Sequence, residues 1–276
     1  MSRASSAIQR GAGVERNRSS TRRRAQALAA AIVLAATAAA GHATSSSTLW
    51  TNMTPDIQAF GVFHLGVDNY FTVGRRAADG GGDFPTDVGL TVGILPFEKF
   101  QMEIGVDLLE PTDHPLSGNI KLGAPEGALG PGAPALYVGM FGLGTETGVT
   151  DYNVAYLTIA RTIRGFGRVA AGPYLGNDRL LRSSKGEKQD TGFMVAFDRG
   201  FRPVSDAAGN TFNRFVLAAD YASGDNAIGG ASAGLYAYFT KDIDLAVAPV
   251  WFNDEGVNGK WKLTVQLDVN LPGLTR

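Results

Sequence analysis

The stretch Trp261-Lys262-Leu263-Thr264-Val265-Gln266-Leu267-Asp268-Val269-Asn270-Leu271 decides the fold. Its odd positions are apolar and its even positions polar, without a break. Successive side chains of a β-strand point to opposite faces, so this segment has one oily wall and one wet wall. Phe100, Met102, Ile104, Val106 and Leu108 alternate in the same way with Gln101, Glu103, Gly105 and Asp107. Val88 to Ile94 and Asp242 to Val247 repeat the pattern. Weaker stretches at 57–67, 117–123, 135–144, 152–162, 168–177, 191–198, 214–221 and 228–239 extend it across the chain. The spacing predicts about twelve antiparallel strands, with 10–14 compatible, in an all-β, membrane-spanning up-and-down barrel.

The connections point the same way. Tight turns are expected at 96–99, 164–167 and 240–242. Longer links rich in turn formers fall at 74–86, 110–116, 178–190 and 253–260. Short turns at one end and long loops at the other are the asymmetry of outer-membrane barrels. Links 123–134 and 199–213 fall at the short end yet are long, so each hides a further strand, folds inward or caps the mouth. Trp251 and Trp261 flank one long loop, while Phe97, Phe100, Tyr236 and Tyr238 flank short turns. These six are the expected girdle aromatics at the two membrane interfaces. A soluble sandwich or lipocalin-like barrel would share the alternation, with the oily wall turned inward. The scarcity of charge on the polar faces, their small residues and the export signal described next favour the membrane.

The start of the chain reads as an address. Residues 1–24 hold seven arginines and Glu15, an alanine-rich apolar run follows from Ala25 to Ala40, and small residues close it at Gly41-His42-Ala43. A basic region, an apolar region and a small-residue cleavage site make a secretory signal peptide over 1–43. The run is too short and too rich in alanine for a spanning helix. The expected organisation is then a signal at 1–43, a short periplasmic segment at 44–55, the barrel at 56–271 and a tail at 272–276.

The whole chain has 276 residues, a formal charge of −1 and a mean hydropathy of −0.02. Without the seven arginines and Glu15 of the signal, Lys+Arg falls from 25 to 18 and Asp+Glu from 26 to 25, leaving −7. A lipid-facing wall tolerates few charges, so this excess belongs in loops, turns and lumen. Cysteine is absent, which excludes a disulfide scaffold, a thiolate metal site, a catalytic thiol and a lipidated cysteine. The charge balance excludes a strongly basic nucleic-acid binder.

Residues 261–271 resemble the C-terminal assembly strand of bacterial outer-membrane proteins. That strand usually ends the chain on Phe or Trp, whereas here Leu271 holds the place and Pro272-Gly273-Leu274-Thr275-Arg276 follows. Gly93 to Lys99, Ala219 to Asn226 and Val250 to Asp254 also resemble a porin-like bacterial outer-membrane family. The resemblance spans most of 56–271. It implies location in the bacterial outer membrane, contact with its lipid and lipopolysaccharide, and insertion by the barrel-assembly machinery. It implies no activity.

Chemistry is sparse. His42 lies in the signal, His64 in the first strand and His114 beside Asp113 in a loop. A barrel hydrolase needs a histidine oriented by a partner near a nucleophile, and adjacent residues of an extended loop diverge. Asp225, Asn226, Asn253, Asp254 and Glu255 could ligate calcium only if their loops converged, and they are also ordinary turn residues. No catalytic, metal or cofactor residue is expected. Alternation instead turns Asp68, Glu103, Asp107, Asp220 and Asp268 inward, with Lys121, Arg161, Arg214 and Lys262 as counter-charges. Such a lumen selects ions by sign if open, and braces the barrel if its charges pair. The leading expectation is a channel for small polar solutes with a cation preference. A closed scaffold beside surface polysaccharide or a secretion machine comes second, and a barrel hydrolase third. Sequence assigns neither the solute nor an oligomeric state.

Overall fold

The computed structural model describes residues 48–76, 79 and 84–273. The expected signal at 1–43 and the end of the tail lie outside them. Among the described residues twelve strands form one closed barrel. They are β1 (Phe63–Phe71), β2 (Thr86–Gly93), β3 (Gln101–Glu110), β4 (Leu116–Ala124), β5 (Ala135–Gly144), β6 (Val154–Ile163), β7 (Gly167–Leu175), β8 (Thr191–Ser205), β9 (Thr211–Ala222), β10 (Gly230–Tyr238), β11 (Ile243–Phe252) and β12 (Lys262–Leu271). Each pairs antiparallel with its chain neighbours, and β1 closes on β12 with His64 opposite Asn270 and Asp68 opposite Gln266. Closure leaves no sheet edge within the lipid, which is what lets strands cross a membrane.

One side chain in two faces lipid. Val106, Val138, Ile159, Leu217 and Val247 are exposed on the outer wall, each between 42 and 51%. Their strand neighbours turn inward and are buried, such as Ala218, Asp220, Ala246 and Lys262. A water-soluble barrel of this kind would show the reverse, so the soluble alternative is excluded. A register shift at Gly118/Ile120, with Gly142 at φ 62° on the facing strand, adds a bulge between β4 and β5.

Two departures from the sequence reading matter. The long link 199–213 contains no extra element. β8 runs on for 15 residues and pairs with β9 down to Ser205 opposite Thr211, so the hairpin outreaches its neighbours. The strand expected from Ile57 begins instead at Phe63, after Gly61 takes a positive φ of 72°. Residues 48–58 run inside the barrel, including 48–55 of the stretch expected in the periplasm.

The long-loop end is tied together across three connections. Helix α1 (Glu255–Asn258) is capped by Asp254, whose carboxylate accepts from Gly256 N and, across loops, from Ser184 N. Asn226 donates to Gln189 O at 2.6 Å and to Tyr174 Oη at 3.1 Å. Asn253 and Asn258 donate to backbone carbonyls of 222–227. Of the loop residues weighed for calcium, Asn226, Asn253 and Asp254 are thus engaged in hydrogen bonds to the backbone. Among the described residues no acid and histidine group converges on a metal geometry.

Candidate functional site

The lumen is the site, and residues 48–58 of the chain itself occupy part of it. Residues 48–58 are extended and obey period two. Leu49, Thr51, Met53, Pro55 and Ile57 are buried against the wall, while Asn52, Thr54 and Asp56 face the space that remains. The wall they cover is apolar. Met53 and Ile57 pack with Tyr137, Val154, Tyr156, Tyr174 and Met194, and Leu49 packs with Val216, Ala218 and Tyr236.

Polar contacts hold the segment at both ends. At the long-loop end Asp220 accepts from three successive backbone amides, those of Leu49, Trp50 and Thr51. Tyr236 Oη donates to Thr48 O and Gln266 Nε2 donates to Leu49 O. Trp50 lies edge-on to Tyr70 at 5.6 Å and Phe252 at 5.0 Å, and its Nε1 donates to Ile228 O. At the short-turn end Arg168 grips both oxygens of Asp56 at 2.6 Å and Asp198 at 2.7 Å. Lys121 pairs with Glu103 at 2.9 Å and donates to Asp56 O, while Glu103 accepts from Gln58 N. Gly93 is required here, because a Cβ on it would sit 2.2 Å from the carbonyl oxygens of Gln58 and Ala59.

Beside the segment, against β1 to β4, remains a cavity of about 210 Å³. Asp68, Asp87, Glu103, Asp107 and Asp268 line it. Glu103 is paired with Lys121, and Asp268 lies 3.1 Å from His64 Nε2. Asp107 accepts only from Asn119 at 2.9 Å. Among the described residues, Asp68, Asp87 and Asp107 have no basic side chain within ion-pair distance. Asp68 and Asp87 stand directly opposite each other across β1 and β2. Two carboxyl groups so placed oppose folding when both are ionised.

The sequence-predicted lumen residues thus separate. Asp68, Glu103, Asp107, Asp268 and Lys121 come together on the cavity. Asp220 stands on the other wall as the latch of the segment. Lys262 is inward and buried, donating to Thr72 Oγ1 at 2.6 Å. Arg214 is exposed at the short-turn rim, donating to Phe239 O. Arg161 is a correction. On β6 the inward residues are Val154, Tyr156, Thr158 and Ala160, so Arg161 points outward with Ile159 and Ile163 and meets Glu126 at 3.7 Å. Tyr236 and Tyr238 are a second correction. They are 0% and 2% exposed and face the lumen, because Leu235 and Ala237 hold the outward positions of β10. Phe97, Phe100 and Trp251 are exposed. Trp261 is half-buried beneath the guanidinium of Arg75 at 4.8 Å.

Asp87 and Arg168 were missed. Both lie on the polar side of recognisable alternations, but neither could be told from a turn charge without knowing what crosses the lumen. His64 has both ring nitrogens engaged, Nδ1 by Asn270 at 3.0 Å and Nε2 by Asp268. His114 lies in the connection 111–115, apart from it.

No family model and no curated protein matches the chain. Solved barrels do. An outer membrane channel from Pseudomonas putida aligns at 10% identity over 80% of this chain and 99% of that one, with a TM-score of 0.41. The outer membrane phospholipase A of Escherichia coli aligns at 12% over 82% and 99%, also at 0.41. A mutant of the Rh. blastica porin aligns at 11% and 0.37, over 67% of this chain and only 55% of that porin. At these scores the likenesses carry no conclusion on their own. The wall does. A closed antiparallel barrel with an apolar belt outside and a polar lumen is the architecture of the bacterial outer membrane, and this chain is an outer-membrane β-barrel.

Proposed function

We propose that the chain is a narrow diffusion channel for small cations and small polar solutes, running between the internal segment and the β1–β4 wall. The observation that carries this reading is the set of Asp68, Asp87 and Asp107 on the residual cavity, with no basic side chain at ion-pair distance among the described residues. A row of carboxyl groups in a confined polar space attracts cations and repels anions. The internal segment narrows the lumen, which favours ions and small molecules over larger solutes. The engagement of both His64 nitrogens leaves no ring atom to activate a nucleophile, so the lumen histidine does not support hydrolysis.

Single-channel recording in a planar bilayer tests the proposal. Small conductance steps are expected, with a reversal potential in a KCl gradient that reports cation preference. A folded, inserted barrel with no steps would sink the channel reading and leave the segment as a permanent strut.

A further inference from the structure

The short-turn rim carries a feature the lumen does not explain. The β6–β7 turn ends at Gly167, whereas β8 continues well past it to Ser205. The mismatch leaves an open notch of about 490 Å³ on the rim. Arg164 and Arg199 flank it, and neither has an ion-pair partner among the described residues. Arg199 stands opposite Leu217, whose side chain lies on the lipid-facing wall, so its guanidinium is at the lower margin of the apolar belt. Ile163 and Phe166 also line the notch and are 49% and 53% exposed. Phe166 leans on Phe197 at 5.1 Å. Arg168 and Asp198 close the inner side, paired at 2.7 Å, and Arg168 is held there by Asp56 as well.

Two unpaired guanidiniums beside exposed apolar side chains, at the edge of a lipid-facing wall, form an amphipathic receptor. We infer that this notch binds a net-anionic phospholipid of the adjoining leaflet. Arg164 and Arg199 take the headgroup phosphate, and Ile163 and Phe166 take the start of an acyl chain. Guanidinium suits phosphate because its fork of donors matches the oxygens. The apolar floor makes a membrane lipid the occupant, since free phosphate would use the arginines alone.

The test uses the intact folded barrel in a zwitterionic detergent, examined by native mass spectrometry with phosphatidylglycerol and phosphatidylcholine added together. The wild type should retain phosphatidylglycerol in preference. R164Q/R199Q should reduce that preference about thirtyfold, and R199Q alone about fivefold, from the attraction of one basic group to an anionic lipid surface. R182Q, in a loop at the far end, should leave it unchanged. Millimolar inorganic phosphate should not displace the lipid. Equal retention of both lipids by the wild type would overturn the inference. So would full preference in a folded R164Q/R199Q barrel, or displacement by phosphate.

Discussion

The two walls of this lumen are built by one rule and end in opposite states. On the β6–β11 side the inward residues are Tyr156, Tyr174, Met194, Ala218 and Tyr236, and residues 48–58 cover them. On the β1–β4 side the inward residues are Asp68, Asp87, Glu103 and Asp107, and space remains. Backbone alternation says which side chains enter a barrel, and their chemistry says whether the chain or water fills the space beside them. An apolar inner wall left bare in water would be unfavourable by about 25 cal/mol for each Å² uncovered. The segment solves that problem for one wall and, by standing there, shapes the other into a slot.

Removing the segment breaks the comparison most completely. Deletion of residues 48–58 should raise single-channel conductance several-fold and weaken cation preference, since the slot then opens into a wide lumen whose far wall is mostly apolar. An unchanged conductance would mean that ions do not pass beside the segment. Loosening it in place is gentler. Asp220→Ala leaves the amides of Leu49, Trp50 and Thr51 without their acceptor, at about 1–3 kcal/mol for each amide left unsatisfied. Met53→Ala should cost about 2–5 kcal/mol as a buried side-chain truncation. Denaturant unfolding from micelles measures both, and brief wide openings in the recordings would mark the same loosening.

The barrel was legible because lipid imposes a strict pattern on its outer face, and 261–271 and 100–108 display it without interruption. The contents of the lumen were not, and the reason is the same segment. Polarity identifies the inward face only where the lumen is wet. On β6 and β10 the inward face is apolar or aromatic because it packs against 48–58 or its contacts, so a rule of polar inward misplaced Arg161, Tyr236 and Tyr238. The period-two signal of Leu49, Thr51, Met53, Pro55 and Ile57 was present in the sequence. It belongs to an extended segment outside the twelve strands, so alternation alone places Ile57 in the first strand. Asp68, Glu103, Asp107 and Asp268, though not Asp87, follow from alternation alone, because β1, β3 and β12 do have wet inner faces. The β8–β9 hairpin was hidden by Arg202 at φ 56° and by Pro203, which interrupt the look of a strand without ending the ladder.

The open wall is sharpened by neutralising it. Asp68→Asn, Asp87→Asn and Asp107→Asn together keep size and hydrogen-bonding capacity while removing the acidic character. The cation-to-anion permeability ratio should fall toward unity with little change in folding. A modest gain in stability is expected from relieving the opposed Asp68 and Asp87, within about 1 kcal/mol for such a cross-strand pair. An unaltered ratio would move selectivity out of the slot and into the loops.

The smallest effect lies at the far end of the covered wall, where loops 176–190 and 253–261 meet. Hydrogen bonds from Ser184, and then from Gly256 and Val257, hold the Asp254 carboxyl below its ordinary value of 3.8. A carboxyl depressed by folding contributes stability above its unfolded value and loses it as pH falls through the folded one. The loop contact should therefore survive unchanged at neutral pH and loosen only below about pH 3.8. Asp254 lies in a surface loop, so screening keeps the gain small. In NMR spectra of the barrel in micelles, the amide resonances of Ser184 and Gly256 should move together, with a midpoint below 3.8. Asp254→Asn should abolish that titration while leaving the cap in place, because the amide oxygen still accepts from Gly256 N. A midpoint at or above 3.8 would show that the loop amides do not hold the charged form, and that the loops over the covered wall are joined by Asn226, Asn253 and Asn258 alone.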